Sequence, residues 1–461
     1  MSHAQQPSID LSESNIRLGS SGLTLQSTAG IVGIAGLLAS LIIGLTGAFD
    51  VSHSFFMKSY LQNYIFVLSI SLGALFFVFI QHLTRAGWSS TVRRTAEIIA
   101  ANLVWSWVGL LPLLALWVAG WFGGHGHEVA AGVEGGHAGH GAGWGPGVLF
   151  PWADMEAMKS HNIDEYNLVM NKTAYLNAGF FWIRAVCYVV FWGVASSWFL
   201  KTSVEQDRTK DVKLSLRMQM MAAPTAILFG ITITFAIIDW VMSLSPAWFS
   251  TMFGVYFFAA CCTGGFAMII IVLLRLQEVG RIKGLVTREH YQDLGKMLFG
   301  FGMIFWAYIA FSQYMLIWYA NIPEETGWFL ARQIGGWGMI SLALLFGHFA
   351  IPFVALISKW TKRISWYLLA AAIWMLIFHW LDMFWLVMPV VPEDAYTAKT
   401  YMDVIEAHEG DSTHLFNPLN FTMLCGCFGV FSWLTIRRLR NVSLIAEGDP
   451  RLKEGIGFEN Q

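Results

Sequence analysis

Several ionisable side chains interrupt segments of the sequence that are otherwise apolar, and they form two groups. The first group is His82, Glu97, Lys296 and, nearer the middle of its segment, His348. Ionisable groups inside a bilayer are costly and are usually functional. His82 ends one apolar segment and Glu97 opens the next, so we expect this titratable pair at the same end of two consecutive helices.

The second group lies toward the opposite end of the segments, at one common depth, and consists of Arg184, Asp239, Gln313, Tyr314, His379 and Asp382. From the helical rise per residue, Arg184 and Asp239 differ in depth by only about 5 Å, so we expect them to form an ion pair. His379 and Asp382 are three residues apart and share one helix face.

Two such groups, one on each side of an apolar middle, are what a transmembrane proton route requires. The alternative for each residue taken singly is a structural polar group satisfied by its neighbours. For Lys296 it is a side chain that reaches back to the membrane interface. Because the six residues of the second group share one depth, the sequence favours a functional role for them.

The elements that position these residues are predicted to be membrane-spanning helices. Of the 461 residues, 56% are hydrophobic and only 13% are charged, whereas a soluble domain carries about 25% charged residues. Apolar runs long enough to cross a bilayer recur along the chain, which predicts an all-α, multi-pass membrane protein. The ten predicted spans are residues 27–46, 63–82, 97–122, 175–200, 221–244, 248–275, 294–319, 333–357, 364–387 and 416–435.

The distribution of basic residues predicts the orientation. Of the 28 Lys and Arg residues, 21 lie at one set of span ends and 5 at the other, and the remaining two, Arg184 and Lys296, lie inside spans. Basic residues accumulate on the cytoplasmic side. Both termini, including a polar tail 1–26 and a basic tail 436–461, are therefore predicted to be cytoplasmic. No signal peptide is evident, and the first tail is expected to be disordered or bound by a partner.

Two loops are predicted on the outer side. The Gly- and His-rich half of loop 123–174 offers His125, His127, His137 and His140 as metal ligands. A flexible connection without metal is the favoured alternative, because ordering a glycine-rich chain around an ion costs much entropy. Loop 388–415 is acidic, and either a docking surface for a periplasmic partner or a solvated loop would explain that. Its acidic residues are Glu393, Asp394, Asp403, Glu406, Glu409 and Asp411.

The sequence predicts no metal and no redox cofactor in this chain. All five cysteines lie inside predicted spans, and neither a C-x-x-C-H haem motif nor a four-cysteine cluster run is present. His348 and His379 are the only well-buried histidine pair, and their predicted offset in depth of about 10 Å fits a bis-histidine haem poorly.

Four segments carry a family resemblance: FIQHLTRAGWSSTVRR (79–94), AIIDWVMSLSPAWFSTMFGVY (236–256), FWAYIAFSQYMLIWYANIPEETGWF (305–329) and FHWLDMFWLVMP (378–389). They resemble membrane subunits of the NrfD/polysulfide-reductase type. Within that type they are most similar to the F subunits (ActF) of bacterial alternative complex III, a quinol:electron-acceptor oxidoreductase of the cytoplasmic membrane. The similarity covers about residues 60 to 440.

The resemblance implies a core of two four-helix bundles, formed here by spans 2–5 and 6–9. It implies partners that carry the electrons: a related subunit with the quinol site, an iron–sulfur subunit and c-type haem subunits. Small membrane subunits and a terminal oxidase are further expected neighbours. This chain lacks the Trp- and Gly-rich opening segment of the quinol-oxidising subunit. That favours the F assignment and argues against a quinol site here.

The resemblance also implies a role in proton movement. The matching inner candidates are His82 and Glu97, and the outer ones are Asp239, His379 and Asp382, with Arg184 placed to tune Asp239. Three alternatives remain open: a purely structural anchor, a second quinone-binding subunit, and an independent secondary transporter. The transporter is the least favoured, because transporters show broken helices in matched halves. Here Pro224, Pro352 and Gly264-Gly265 interrupt spans at positions that do not correspond.

Overall fold

A computed structural model describes residues 10–122, 144–161, 163–392 and 400–460. All regular structure in these ranges is helical, and ten of the helices are long and apolar enough to cross a membrane, which confirms the predicted all-α, multi-pass class. Spans 1 to 10 run Glu13–Thr46, His53–Leu83, Arg93–Gly120, Ala178–Thr209, Val212–Leu244, Phe253–Glu278, Arg288–Ala320, Trp337–Leu356, Ser365–Val387 and Pro418–Asn441.

Several spans extend beyond the apolar runs that predicted them. Span 4 begins where the Asn177 side chain accepts the Phe180 N–H at 3.0 Å, and it continues through polar turns to Thr209. Lys210 ends it in the left-handed conformation, with φ 55°. A capped helix propagates cheaply into water, so apolar length underestimates helix length.

The spans pack as two sets of four. Spans 2–5 contact one another as the first bundle, spans 6–9 as the second, and spans 2 and 6 form the central contact between them. Gly73 and Gly265 make that contact possible, since a Cβ on either residue would meet the backbone of the other helix. The Gly264-Gly265 pair does not interrupt span 6, contrary to the sequence prediction, because the helix is continuous from Phe253 to Glu278.

Spans 1 and 10 pack against each other as a flanking pair, and span 10 contacts span 2. Small residues bring them together: a Cβ on Gly36 would meet the backbone of Gly426, and one on Gly429 would meet that of Gly33. Close backbone approach at small residues is a common way for helices to associate in membranes.

Two spans of the second bundle contain π-helical turns. Span 7 is π-helical at Leu298–Ile304, and span 8 is π-helical at Leu345–Ala350, where it carries His348. The two π segments contact each other. Such turns widen a helix locally and occur frequently at functional sites.

The terminal segments are folded against the bundles and lie at the same end of the molecule. From residue 10 the first tail is ordered: Asn15 exchanges hydrogen bonds with Lys283, and the Ile16 carbonyl accepts the Leu444 N–H at 2.8 Å. The expectation of a disordered first tail is therefore wrong for residues 10–26. In the last tail Leu444 and Ile445 are fully buried.

The outer loops are also packed where the structure describes them. Phe150 and Trp152 are buried against Phe181, so the second half of loop 123–174 covers the end of the first bundle opposite the chain termini. The four candidate metal-binding histidines lie outside the described residues.

In the acidic loop, Val404 packs with Leu330 and Ile334. Asp403 takes part in the N-terminal capping box of the short helix Tyr401–Ala407, and Asp411 forms a 2.7 Å hydrogen bond with His408. These two acidic residues therefore stabilise the fold of the loop. Glu393 and Asp394 lie outside the described residues.

Candidate functional site

Asp382 is the centre of a polar cluster buried in the second bundle. Its carboxylate has no solvent exposure and accepts two hydrogen bonds, one from the Tyr256 hydroxyl and one from the Trp306 indole N–H at 3.1 Å. These donors come from spans 6 and 7, whereas Asp382 lies on span 9. Three helices therefore converge on one carboxylate, whose hydrogen-bond donors among the described residues are uncharged side chains.

His379 lies one helical turn before Asp382 and is also fully buried. Its Nε2 is 2.7 Å from the Ser69 hydroxyl of span 2, while its Nδ1 has no hydrogen-bond partner in the described part of the chain. The ring fits against span 6 because residue 264 is glycine, and a Cβ there would lie 2.8 Å from the imidazole. His379 thus connects the second bundle to the first.

His348 joins this cluster from the π segment of span 8. Its ring lies on Trp306 with centroids 4.0 Å apart, and neither ring nitrogen has a partner among the residues described. The sequence grouped His348, nearer the middle of its segment, with His82, Glu97 and Lys296. In the structure it belongs instead with Asp382, because both contact Trp306.

Arg332 closes the outer end of the same bundle and was counted from sequence only as a loop cation. It is buried and donates to the carbonyls of Trp328, Trp385 and Leu386 at 2.8 to 3.1 Å. Its guanidinium carbon lies 3.2 Å from the Trp328 ring centroid.

The predicted ion pair of Arg184 and Asp239 is present in the first bundle. Two parallel hydrogen bonds of 2.8 Å join the guanidinium to both carboxylate oxygens, and the Tyr188 hydroxyl adds a third at 2.8 Å. The Arg184 guanidinium also lies over the rings of Tyr175 and Phe180. Asp239 thus accepts three hydrogen bonds, two of them from Arg184, so the pair holds spans 4 and 5 together firmly.

Glu97 lies in a buried ion network at the end of the molecule where both terminal segments lie. Its two oxygens accept from Arg93 at 3.1 Å and Arg94 at 3.0 Å. Arg93 reaches Asp449 at 2.6 Å, and Arg94 reaches Asp207 at 2.7 Å. Because both arginines precede Glu97 by three or four residues on one helix, the carboxylate is neutralised locally.

His82 lies at the same end but does not pair with Glu97. Its ring packs against Phe199 with centroids 5.5 Å apart, it lies near the charge of Arg93, and its Nε2 has no partner within the described ranges. The expectation that these two residues share an end is correct. Their expected coupling as a titratable pair is not seen, because the arginines occupy the carboxylate.

Two further candidates lie apart from any buried cluster. Tyr314 is 38% exposed and receives only a long hydrogen bond of 3.5 Å from Gln333, although its neighbour Gln313 is buried. Lys296 is half exposed and pairs with Asp293, which agrees with a side chain at the interface. Common depth therefore did not imply a common site, since residues on one helix can face opposite directions.

Sequence reasoning missed the uncharged members of the cluster, Tyr256, Trp306 and Ser69. They resemble ordinary interior residues, because tyrosine, tryptophan and serine are frequent in apolar helices. One signal was available: Tyr256 and Trp306 both lie in the segments that carry the family resemblance. The class of protein defined by this fold is an all-α, multi-pass membrane protein with a buried carboxylate–imidazole cluster. No protein-family model and no curated protein matches the chain.

Proposed function

We propose that this chain is an integral membrane subunit of a respiratory quinol:cytochrome c oxidoreductase of the alternative complex III type. Two lines support the proposal: the four segments that resemble the F subunits, and the arrangement of eight spans as two four-helix bundles. Partner subunits would hold the haem c and the iron–sulfur clusters. This chain would carry no redox cofactor and would reside in the bacterial cytoplasmic membrane.

Within that complex, we infer that the chain supplies part of a proton path through its second bundle. The observation that carries this is a buried group in which Trp306 contacts both Asp382 and His348, while His379 lies one helical turn before Asp382 on the same span. A carboxylate without a paired cation can change protonation state, and unpartnered imidazole nitrogens can accept or release a proton. Buried ionisable groups with free capacity are the usual components of proton relays.

The same geometry limits which candidates belong to the path. Asp239 is held by Arg184, and Glu97 is held by both Arg93 and Arg94, so both carboxylates favour the anchor function. Protonating a carboxylate that is ion-paired with arginine has a high energetic cost, because it leaves the arginine charge unpaired. We therefore restrict the proposed proton-exchanging groups to the Asp382 cluster, with His82 as the candidate at the opposite end.

The test uses the whole complex in sealed vesicles. Quinol oxidation and external acidification are measured together for Asp382→Asn and His379→Gln, with Glu409→Gln, at an exposed carboxylate of the acidic loop 388–415, as the control. We expect both cluster variants to assemble and oxidise quinol while acidification per electron falls several-fold, and the control to be unchanged. If both cluster variants assemble and acidify normally, the proton path is excluded and the chain acts as a structural anchor of the complex.

A further inference from the structure

A cavity of about 820 Å³ opens on the surface at the end of the molecule that carries both termini. It lies where span 6 ends and span 9 begins, and span 7 and the short helix Lys359–Arg363 complete its wall. This volume is in the range of small-ligand pockets. None of the residues of the Asp382 cluster lines it.

The charge of the cavity is positive. Arg288 and Arg363 line it, and Arg288 has no ion pair among the residues the structure describes. Glu278 is the one acidic residue in the lining, and it is neutralised by Arg275 at 2.6 Å. Arg363 pairs with Glu289 through one terminal nitrogen, and its remaining donors are free for another acceptor. The cavity therefore complements an anion that can accept from two guanidinium groups.

The rest of the wall is apolar and aromatic. Trp360 and Trp366 line the cavity and are 65% and 71% exposed, and Leu274 extends the apolar wall along span 6. Exposed tryptophans at the ends of membrane helices lie at the level of the lipid headgroups. A free phosphate ion would gain nothing from these indoles, whereas an amphiphile would use the arginines and the apolar wall together.

We propose that this cavity binds one anionic phospholipid from the leaflet on the side of the chain termini. The phosphate of the headgroup would lie between Arg288 and Arg363, and the first part of an acyl chain would lie along Trp366 and Leu274. Basic pockets between membrane helices are known to select such headgroups. The bound lipid would connect spans 6, 7 and 9, because each of them contributes to the wall.

The test is a titration of the delipidated, detergent-purified protein, followed by native mass spectrometry. Dioctanoyl phosphatidylglycerol is the anionic probe, dioctanoyl phosphatidylcholine is the zwitterionic probe, and inorganic phosphate is the competitor. Arg288→Gln is the principal variant, because Arg288 has no ion pair to disturb. Arg208→Gln is the matched control: it removes an exposed arginine at the same end of the molecule, on span 4.

We expect one tight phosphatidylglycerol adduct on the wild-type protein. Its affinity should fall about fivefold in Arg288→Gln, and further in Arg288→Gln/Arg363→Gln, but not in Arg208→Gln. Equal binding of the two lipids, or equal loss in Arg208→Gln, would overturn the proposal. Displacement of the lipid by inorganic phosphate at matched concentration would overturn it too, because the site would then recognise phosphate alone.

Discussion

Asp382 and His348 lie on different helices, yet both contact the indole of Trp306. The indole N–H donates to the carboxylate at 3.1 Å, while the ring lies 4.0 Å from the imidazole, centroid to centroid. One side chain therefore fixes the positions of the two ionisable groups that the sequence placed in separate halves of the membrane. The π segment of span 8 makes this possible, because it displaces His348 from a regular helical position.

Replacing Trp306 by phenylalanine tests that relationship. The variant keeps an aromatic ring beside His348 but leaves one buried oxygen of Asp382 without its donor, which should cost about 1–3 kcal/mol of stability. Trp318→Phe is the matched control on the same span, since Trp318 is exposed. Thermal unfolding in detergent measures both variants, and equal melting temperatures would show that the N–H of Trp306 contributes nothing.

The central crossing of spans 2 and 6 predicts a strict requirement for glycine at position 73. In Gly73→Ala the new methyl group would collide with the carbonyl of Cys261, which is backbone and cannot rotate away. Overpacking of this kind costs about 1–3 kcal/mol or more, so the yield of folded protein should fall sharply. Gly230→Ala on span 5 meets no atom within 4 Å and should be neutral or slightly stabilising. Size-exclusion profiles of the two variants provide the comparison.

The Arg184–Asp239 pair predicts non-additive effects of mutation. Asp239→Asn or Arg184→Gln alone leaves a buried charge without its partner and should cost about 3–5 kcal/mol. The double variant removes both charges, so it should be more stable than the sum of the single effects implies. Melting temperatures of the four proteins in one detergent measure the coupling. Additive losses would mean that the two charges act independently.

The sequence predicted the helices of this protein better than its sites, for a physical reason. Apolar length alone determines whether a segment can span a membrane, and this property is local. The Arg184–Asp239 pair was also predictable, because opposite charges at one depth on consecutive helices attract. By contrast, the ion network around Glu97 is completed by Asp449, which pairs with Arg93, and by Asp207, which pairs with Arg94. Both aspartates lie on distant segments that only the folded chain brings together.

The predicted orientation can be tested by cysteine labelling in a background without the native cysteines. Thr209→Cys lies at the exposed end of span 4, and Phe416→Cys lies in an outer loop where the side chain is 83% exposed. We expect Thr209→Cys to react only with reagents that reach the cytoplasm, and Phe416→Cys to react from outside. Ser90, which the sequence alone would suggest as a probe, is fully buried beneath the last tail and would not react. Labelling of Thr209→Cys from outside and of Phe416→Cys only from the cytoplasm would show that the predicted orientation is wrong.

The last tail has a consequence for how the protein is made. Arg93 and Arg94 are among the basic residues that, in the predicted orientation, hold the end of span 3 in the cytoplasm during insertion. One of the carboxylates that later neutralises them, Asp449, emerges from the ribosome hundreds of residues afterwards. Until Asp449 has been translated, Arg93 lacks this partner and can act as a topological signal in contact with water. The ion pair of Arg93 with Asp449 can form only after residue 449 has been translated.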